Sequence, residues 1–357
     1  RPASQTHRPA RTMKLLLTAN AGAAPLRKWS RAVPGEALPQ RRQRLQDHRE
    51  HQGRQKARRL ARLDSLLDLA DAVAGCDATA PAPPCGSMAV DWEALPAGCD
   101  PCGAATKMRP GKPRGERKRE SVSAMAWLLS SSLLHLSGTP RPTIVDAGCG
   151  TGSLLLPLAA LFTNATFVGV DTKRGSLERL VARAADAGPD VSSRVVPWHG
   201  RIEDYDGACD CLLSLHACGG ASDAALRLAA ERAVPFAVSP CCIGKLRRGP
   251  ASEWLRAIVA QGEDDAAGVD ASFSTLAAWA DSEHVAAAPP APSVASLATE
   301  EHLTAAVRRQ RCKALVERDR LEAVHEQGGG SGRRGRVLRI TGRAMATSGQ
   351  TEVLSSS

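Results

Sequence analysis

Seven residues, Asp146-Ala-Gly148-Cys149-Gly150-Thr-Gly152, set one carboxylate beside three glycines at alternate positions. Glycine lets the backbone turn sharply and lets a ligand approach main chain that any Cβ would push away. A second carboxylate, Asp171, follows 23 residues after Gly148. In dinucleotide folds an acid at about that distance accepts ribose hydroxyls. A bare turn with two acids suits a ligand that carries a sugar diol. Position 153 is Ser, where the nicotinamide fingerprint has Gly or Ala; a nicotinamide enzyme is therefore the second choice.

These groups need strands and helices to hold them. Thr143-Ile-Val145 is a short β-branched run before the turn, and Leu154 to Leu161 is a helical run after it. Strands are expected at 143–147, 166–170, 194–198, 209–215 and 234–238, with a late strand at 335–340. Helices are expected near 153–162, after Asp171, over 221–233 and over 300–326. Strands alternating with helices predict an α/β fold with a mostly parallel, doubly wound sheet. Ligands of such sheets lie beyond the carboxyl ends of the strands. Asp146, Asp171, Arg201 with Ile202, and His216 all fall there.

The glycine run resembles the first motif of the S-adenosylmethionine (SAM) dependent methyltransferases of the Rossmann-like class. That resemblance implies SAM as cofactor and a class I methyltransferase fold. It implies that Asp146, Gly148, Cys149, Gly150 and Gly152 wrap methionine and ribose, and that Asp171 holds the ribose hydroxyls. It places adenine beside Arg201 and Ile202, with Ile202 as an apolar wall; many relatives carry an acid where Arg201 stands. The backbone carbonyl of His216 is expected to take the methionine ammonium.

Two further elements, Leu215-His-Ala-Cys-Gly-Gly-Ala-Ser-Asp223 and Ser239-Pro-Cys-Cys-Ile-Gly-Lys245, follow the fourth and fifth strands. Together they resemble the methyltransferase domain of the family of the glutathione S-transferase C-terminal domain-containing protein. The first is also similar to tRNA 2′-O-methyltransferases, with Ser222 where Thr is usual. The resemblance spans roughly residues 107–342 and includes the Cys312–Asp319 segment. His216, Cys218 and Cys241 are the catalytic candidates. A histidine with a near-neutral pKa is suited to take a proton from a hydroxyl or amine acceptor; a structural ring bonded to its own loop is the alternative. Pro240-Cys241 is similar to the dipeptide of cytosine-C5 methyltransferases, whose thiolate adds to the base; a tight loop of small residues against the cofactor is the alternative there.

The chain has a net charge of +10, unevenly distributed. Residues 1–120 hold 23 Lys and Arg against 12 Asp and Glu, and the remainder 24 against 25. A basic extension beside a neutral domain suits an anionic partner. RNA is expected along segments 41–62 and 107–119; a solvated arm is the alternative, and the methyl acceptor is otherwise a protein or a small molecule. A non-catalytic SAM-fold binding module is the remaining reading.

The domain plan reads 1–40 as disordered or transit-peptide-like and 41–115 as a basic helical extension and linker. Residues 116–345 form the methyltransferase domain, with 285–298 as an insertion and 346–357 as a tail. Residues 1–35 carry seven Lys and Arg and no acid, a transit-peptide composition. Cysteines within apolar runs favour a reducing compartment, cytoplasmic or organellar, over secretion. Arg at position 1 suggests a fragment lacking its true start. No apolar run approaches the roughly 20 residues of a membrane span. Cys99 and Cys102 have knuckle spacing, but Cys76 and Cys85 lie at irregular distances, so no metal is expected.

Overall fold

The computed structural model describes residues 37–74, 86–102, 114–135, 139–215, 217, 219–240, 243, 246, 249–262, 266–281, 300–327, 335–340 and 351–356. The expectations for the first 36 residues, for 285–298 and for 107–113 lie outside them. The chain divides after Arg62 into two compact units, and the unit from Leu63 onward contains the sheet. Residues 86–102 belong to that same unit. Cys99 is fully buried, Met88, Trp92 and Leu95 pack on the main core, and the Met88 amide donates to the Ser123 carbonyl at 3.0 Å. Pro, Gly and Ala hide this segment's role, because three anchoring apolar residues give no periodic signal.

Helix α1, Leu38–Ala74, is followed by α2, Arg114–His135. The sheet then begins: β1 (Thr143–Ala147), α3 (Leu155–Leu161), β2 (Thr166–Asp171), α4 (Arg174–Asp186), β3 (Val195–His199), β4 (Cys211–Leu215), α5 (Gly220–Glu231) and β5 (Phe236–Ser239). Three helices follow, α6 (Glu253–Ala260), α7 (Ala266–Ala280) and α8 (Glu300–Gln327), then β6 (Gly335–Ile340) and β7 (Thr351–Ser356). Strand order is β3-β2-β1-β4-β5-β7-β6. The first five strands are parallel, and β7 runs antiparallel to both β5 and β6. This is the Rossmann-like class I methyltransferase architecture. Residues 351–356, expected as a tail, instead fill the gap between β5 and β6. A six-residue strand with only Val353 and Leu354 apolar, closed by ladders on both sides, needs no apolar alternation to form.

Alternating side chains explain the two covered faces. Ile144, Phe167, Cys211 and Leu213 enter the core with α2, α3 and α4. Their neighbours Val145, Val168 and Leu212 enter the opposite core with α5 and with Leu321 and Val324 of α8. Pro197 sits in β3, at the edge of the sheet, where a missing N–H is tolerated. Arg194 was expected to open that strand. It is instead 6% exposed, and its guanidinium donates to the carbonyls of Ala159 (2.6 Å), Phe162 (3.1 Å) and Asp190 (2.8 Å). It thereby caps the carboxyl end of α3, whose last carbonyls have no partner within the helix. The helices α6 and α7 carry no chemical motif and were not anticipated; they pack Leu255, Ile258, Phe273 and Leu276 against Leu67 of α1 and Leu315 of α8. Among the described residues no helix is long and apolar enough to cross a membrane.

Candidate methyl-donor site

The strand order reverses at β1, which pairs in parallel with β2 on one side and β4 on the other, and this switch point opens the crevice where such sheets bind ligands. Gly148, Gly150 and Gly152 occupy it at φ of 80°, 56° and 79°, a region costly for residues with a Cβ. The amides of Gly148 and Cys149 donate to the Val170 carbonyl at 2.8 and 3.1 Å, which ties the turn to the end of β2. A Cβ on Gly152 would strike Leu180 and Leu156 beneath the turn, whereas one on Gly150 would meet nothing within 4 Å. Gly152 therefore serves packing, and Gly150 faces open space on the ligand side.

Asp171 closes β2 and holds the turn directly. One carboxylate oxygen accepts the Gly150 amide at 2.9 Å and the other the Lys173 amide at 2.8 Å. Each oxygen retains acceptor capacity, so the half-buried carboxylate can still take hydroxyl donors. Asp146, at the end of β1, is 2% exposed, and among the described residues neither of its oxygens has a hydrogen-bond partner. Burial, then repulsion from Asp171, raises its pKa to about 8; the nearby Leu155 amide offsets a little of that rise. A buried, unpartnered acid at a switch point is a vacancy for a donor or a cation. The donor set therefore fits SAM, whose sulfonium and ammonium supply positive charge and whose ribose supplies hydroxyls.

The structure describes some of the other expected residues and not others. The Cys149 side chain is buried in the core under the turn, in room made by Gly169 on β2. Only its backbone belongs to the ligand side, and burial raises its thiol pKa. Ile202 is 8% exposed and packs into the core shared with α5. Arg201 is exposed and paired with Glu203 at 2.9 Å. His216, Cys218 and Cys241 lie outside the described residues. Their flanks are clear: Ser222 donates to the Ala217 carbonyl at 2.6 Å, Ser214 to the Ala147 carbonyl at 2.7 Å. A Cβ on Gly148 would lie 3.8 Å from that of Ala217, so the loop after β4 borders the glycine turn. Ser239 was not singled out, yet its hydroxyl is buried and unpartnered at the end of β5, in register with Leu215. Its only sequence signal is its place before Pro240.

Residues 117–249 match a family model described as a methyltransferase domain. That stretch, under half of the chain, is similar to a methyltransferase domain. Such a domain implies SAM as its methyl donor. Over 172 residues, 48% of the chain, it is 29% identical to the glutathione S-transferase C-terminal domain-containing protein of Xenopus laevis. That match spans 26% of the relative's length. A shorter stretch of 53 residues is 44% identical to a tRNA (guanine-N(7)-)-methyltransferase of Rubrobacter xylanophilus, covering 15% of this chain and 24% of that one. Among solved structures, magnesium protoporphyrin IX methyltransferase from Synechocystis with bound SAH superposes at a TM-score of 0.34 and 15% identity, covering 67% of this chain and 83% of that chain. The methyltransferase domain thus accounts for the glycine turn, while the family match ends before α6, α7 and α8.

Proposed function

We propose that the chain is a SAM-dependent RNA methyltransferase. Bound SAM supplies an electrophilic methyl group. Asp171 orients the ribose through the acceptor capacity left on its carboxylate, and Gly150 leaves the space that the ligand occupies. Asp146, ionised, balances the positive charge of the donor within the buried crevice. Methyl transfer from a sulfonium is an in-line displacement, so holding donor and acceptor in line supplies much of the rate. His216 is assigned the acceptor proton, from its place after β4.

The observation that carries RNA over other acceptors is the placement of charge. Arg42, Arg49, Arg54, Lys56, Arg58 and Arg59 are all exposed along α1. Cations spaced along a helix suit phosphates, whose neutralisation makes affinity salt-dependent. The similarity of 53 residues to a tRNA methyltransferase supports the same choice. Within segment 107–119, Arg119 is unavailable to phosphate: it is ion-paired with Asp100 at 2.6 Å and lies over the Trp92 ring. The test is incubation with methyl-labelled SAM, total RNA and total protein. Label in RNA, falling steeply with added salt, is expected; label only in protein would refute the reading.

A further inference from the structure

A cavity of about 560 Å³ is left unexplained by the donor site, within the roughly 300–1,000 Å³ typical of small-molecule sites. None of the described residues lining it belongs to the glycine turn, and Asp171 is not among them. Its walls include Asp223 and Leu226 of α5, Phe273 of α7, and Arg320 and Ala323 of α8. Leu226, Phe273 and Ala323 are buried apolar residues. Arg320 is 1% exposed. Its Nε donates to Asp223 Oδ1 at 2.9 Å, and its Nη1 donates to the Glu317 carboxylate at 3.3 and 3.4 Å. Its Nη2 is buried with no partner among the described residues.

A charged donor buried without an acceptor is costly, on the order of 1–3 kcal/mol or more, so this vacancy points to a ligand. The paired Asp223 supplies the opposite half. Its Oδ1 takes the Arg320 Nε, which leaves acceptor capacity on Oδ2. One joined pair thus offers a donor and an acceptor side by side.

Charge then selects the occupant. Arg320, the one buried cation among the described lining residues, already meets two carboxylates, Asp223 and Glu317; Arg227 and Arg256 also line the cavity but are exposed, as is Asp270. The adjacent Asp319 is buried and takes hydrogen bonds from the Ala251 amide, the Ser252 amide and the Ser252 hydroxyl. An added anion would enlarge a negative cluster, and a cation would leave Nη2 without an acceptor. A neutral planar group with a carbonyl next to an N–H satisfies both positions, and the edge of a nucleobase has that arrangement. Single-stranded bases are read in this way, through hydrogen bonds to an exposed edge and contact with apolar or aromatic walls.

We propose that this cavity binds one unstacked, uncharged nucleobase, its carbonyl on Arg320 Nη2 and its neighbouring N–H on Asp223 Oδ2. Leu226 and Phe273 supply the apolar contact. Asp223 lies in the first turn of α5, directly after the loop that bears His216 and Cys218, so the base belongs to the strand presented for methylation. The assignment rests on the reading of RNA as acceptor and deepens it to a recognition pocket.

The test is calorimetric titration of the full chain with guanosine, 1-methylguanosine and inorganic phosphate, alongside SAM. Guanosine is expected to bind, 1-methylguanosine at least tenfold more weakly because its N–H is blocked, and phosphate not at all. Ala323→Leu, which narrows the cavity, is expected to weaken guanosine at least tenfold while SAM affinity and the melting temperature stay near wild type. The methylguanosine arm needs no variant, so it stands even where Ala323→Leu fails to fold. Preference for phosphate, equal binding of both nucleosides, or no guanosine binding would overturn the pocket. If label still enters RNA in that case, the RNA reading survives and only the pocket falls; label confined to protein removes both.

Discussion

The glycine turn and the Arg320 cluster both hold buried polar groups that lack partners, yet the chain builds them by opposite routes. Asp146, Gly148, Gly150 and Gly152 lie within seven residues, and only Asp171 is supplied from the next strand. Asp223 and Arg320 are 97 positions apart and meet only because α8 packs on α5. A local turn can be recognised before the fold is known, because its backbone conformation dictates its residue types. A long-range pair of ordinary charged residues dictates nothing locally. The difference teaches that the donor side of this protein is written as a motif and its second cavity as packing.

Three substitutions sharpen that contrast. Arg320→Met carries the largest expected effect. Removing one partner of a buried ion cluster typically costs about 3–5 kcal/mol, since Asp223 and Glu317 are left uncompensated. Chemical denaturation should show that loss, while the surviving folded protein binds SAM as wild type does. Loss of SAM binding in folded protein would join the two regions and break the comparison. Gly152→Ala comes next. A left-handed backbone costs roughly 1–2 kcal/mol, and overpacking against Leu180 about 1–3 kcal/mol more. Here SAM binding should vanish well before the fold does; an unaffected affinity would remove the turn from the site.

Asp146→Asn has the smallest effect and the most specific signature. Burial favours the protonated acid in the folded protein, with a pKa of about 8 against an ordinary value of 3.8. The contribution of Asp146 to the stability of the unliganded fold is therefore largest below pH 4, and is lost as pH rises toward 8. Thermal melts of the unliganded wild type should lose stability relative to Asp146→Asn across this window. Binding of the cationic donor favours the ionised acid, so calorimetry near pH 7 in two buffers of different ionisation enthalpy should detect proton release. Parallel melting curves for wild type and variant would remove Asp146 from the electrostatic account.

Much of the fold was legible in the sequence. The five parallel strands and their helices stood out because apolar runs alternate with glycine and proline breaks, and Ile144 and Val145 serve opposite cores through simple pleat alternation. The short strand Thr351–Ser356 was illegible, since its register depends on neighbours distant in sequence. Residues 86–102 resisted reading for the opposite reason: they join the core by isolated anchors such as Cys99. In the site, the glycine turn and Asp171 were legible as a pair. The hydrogen bonds from the Gly150 and Lys173 amides to Asp171 were not, because backbone donors leave no trace in residue types. Cys149 illustrates the limit of motif reading: its neighbours face the ligand while its own side chain turns into the core. Arg320 was invisible because an arginine in a charged helix gives no hint of being fully buried.

Calorimetric titration of SAM into the wild-type chain and into Asp171→Ala tests the donor site most directly. Hydrogen bonds to a charged group contribute about 1.5–3 kcal/mol each, so loss of those to ribose should weaken binding by roughly a hundredfold or more. Saturable binding by the wild type and that loss in the variant is the predicted result. An unchanged affinity in Asp171→Ala, or no binding by the wild type at millimolar SAM, would contradict it.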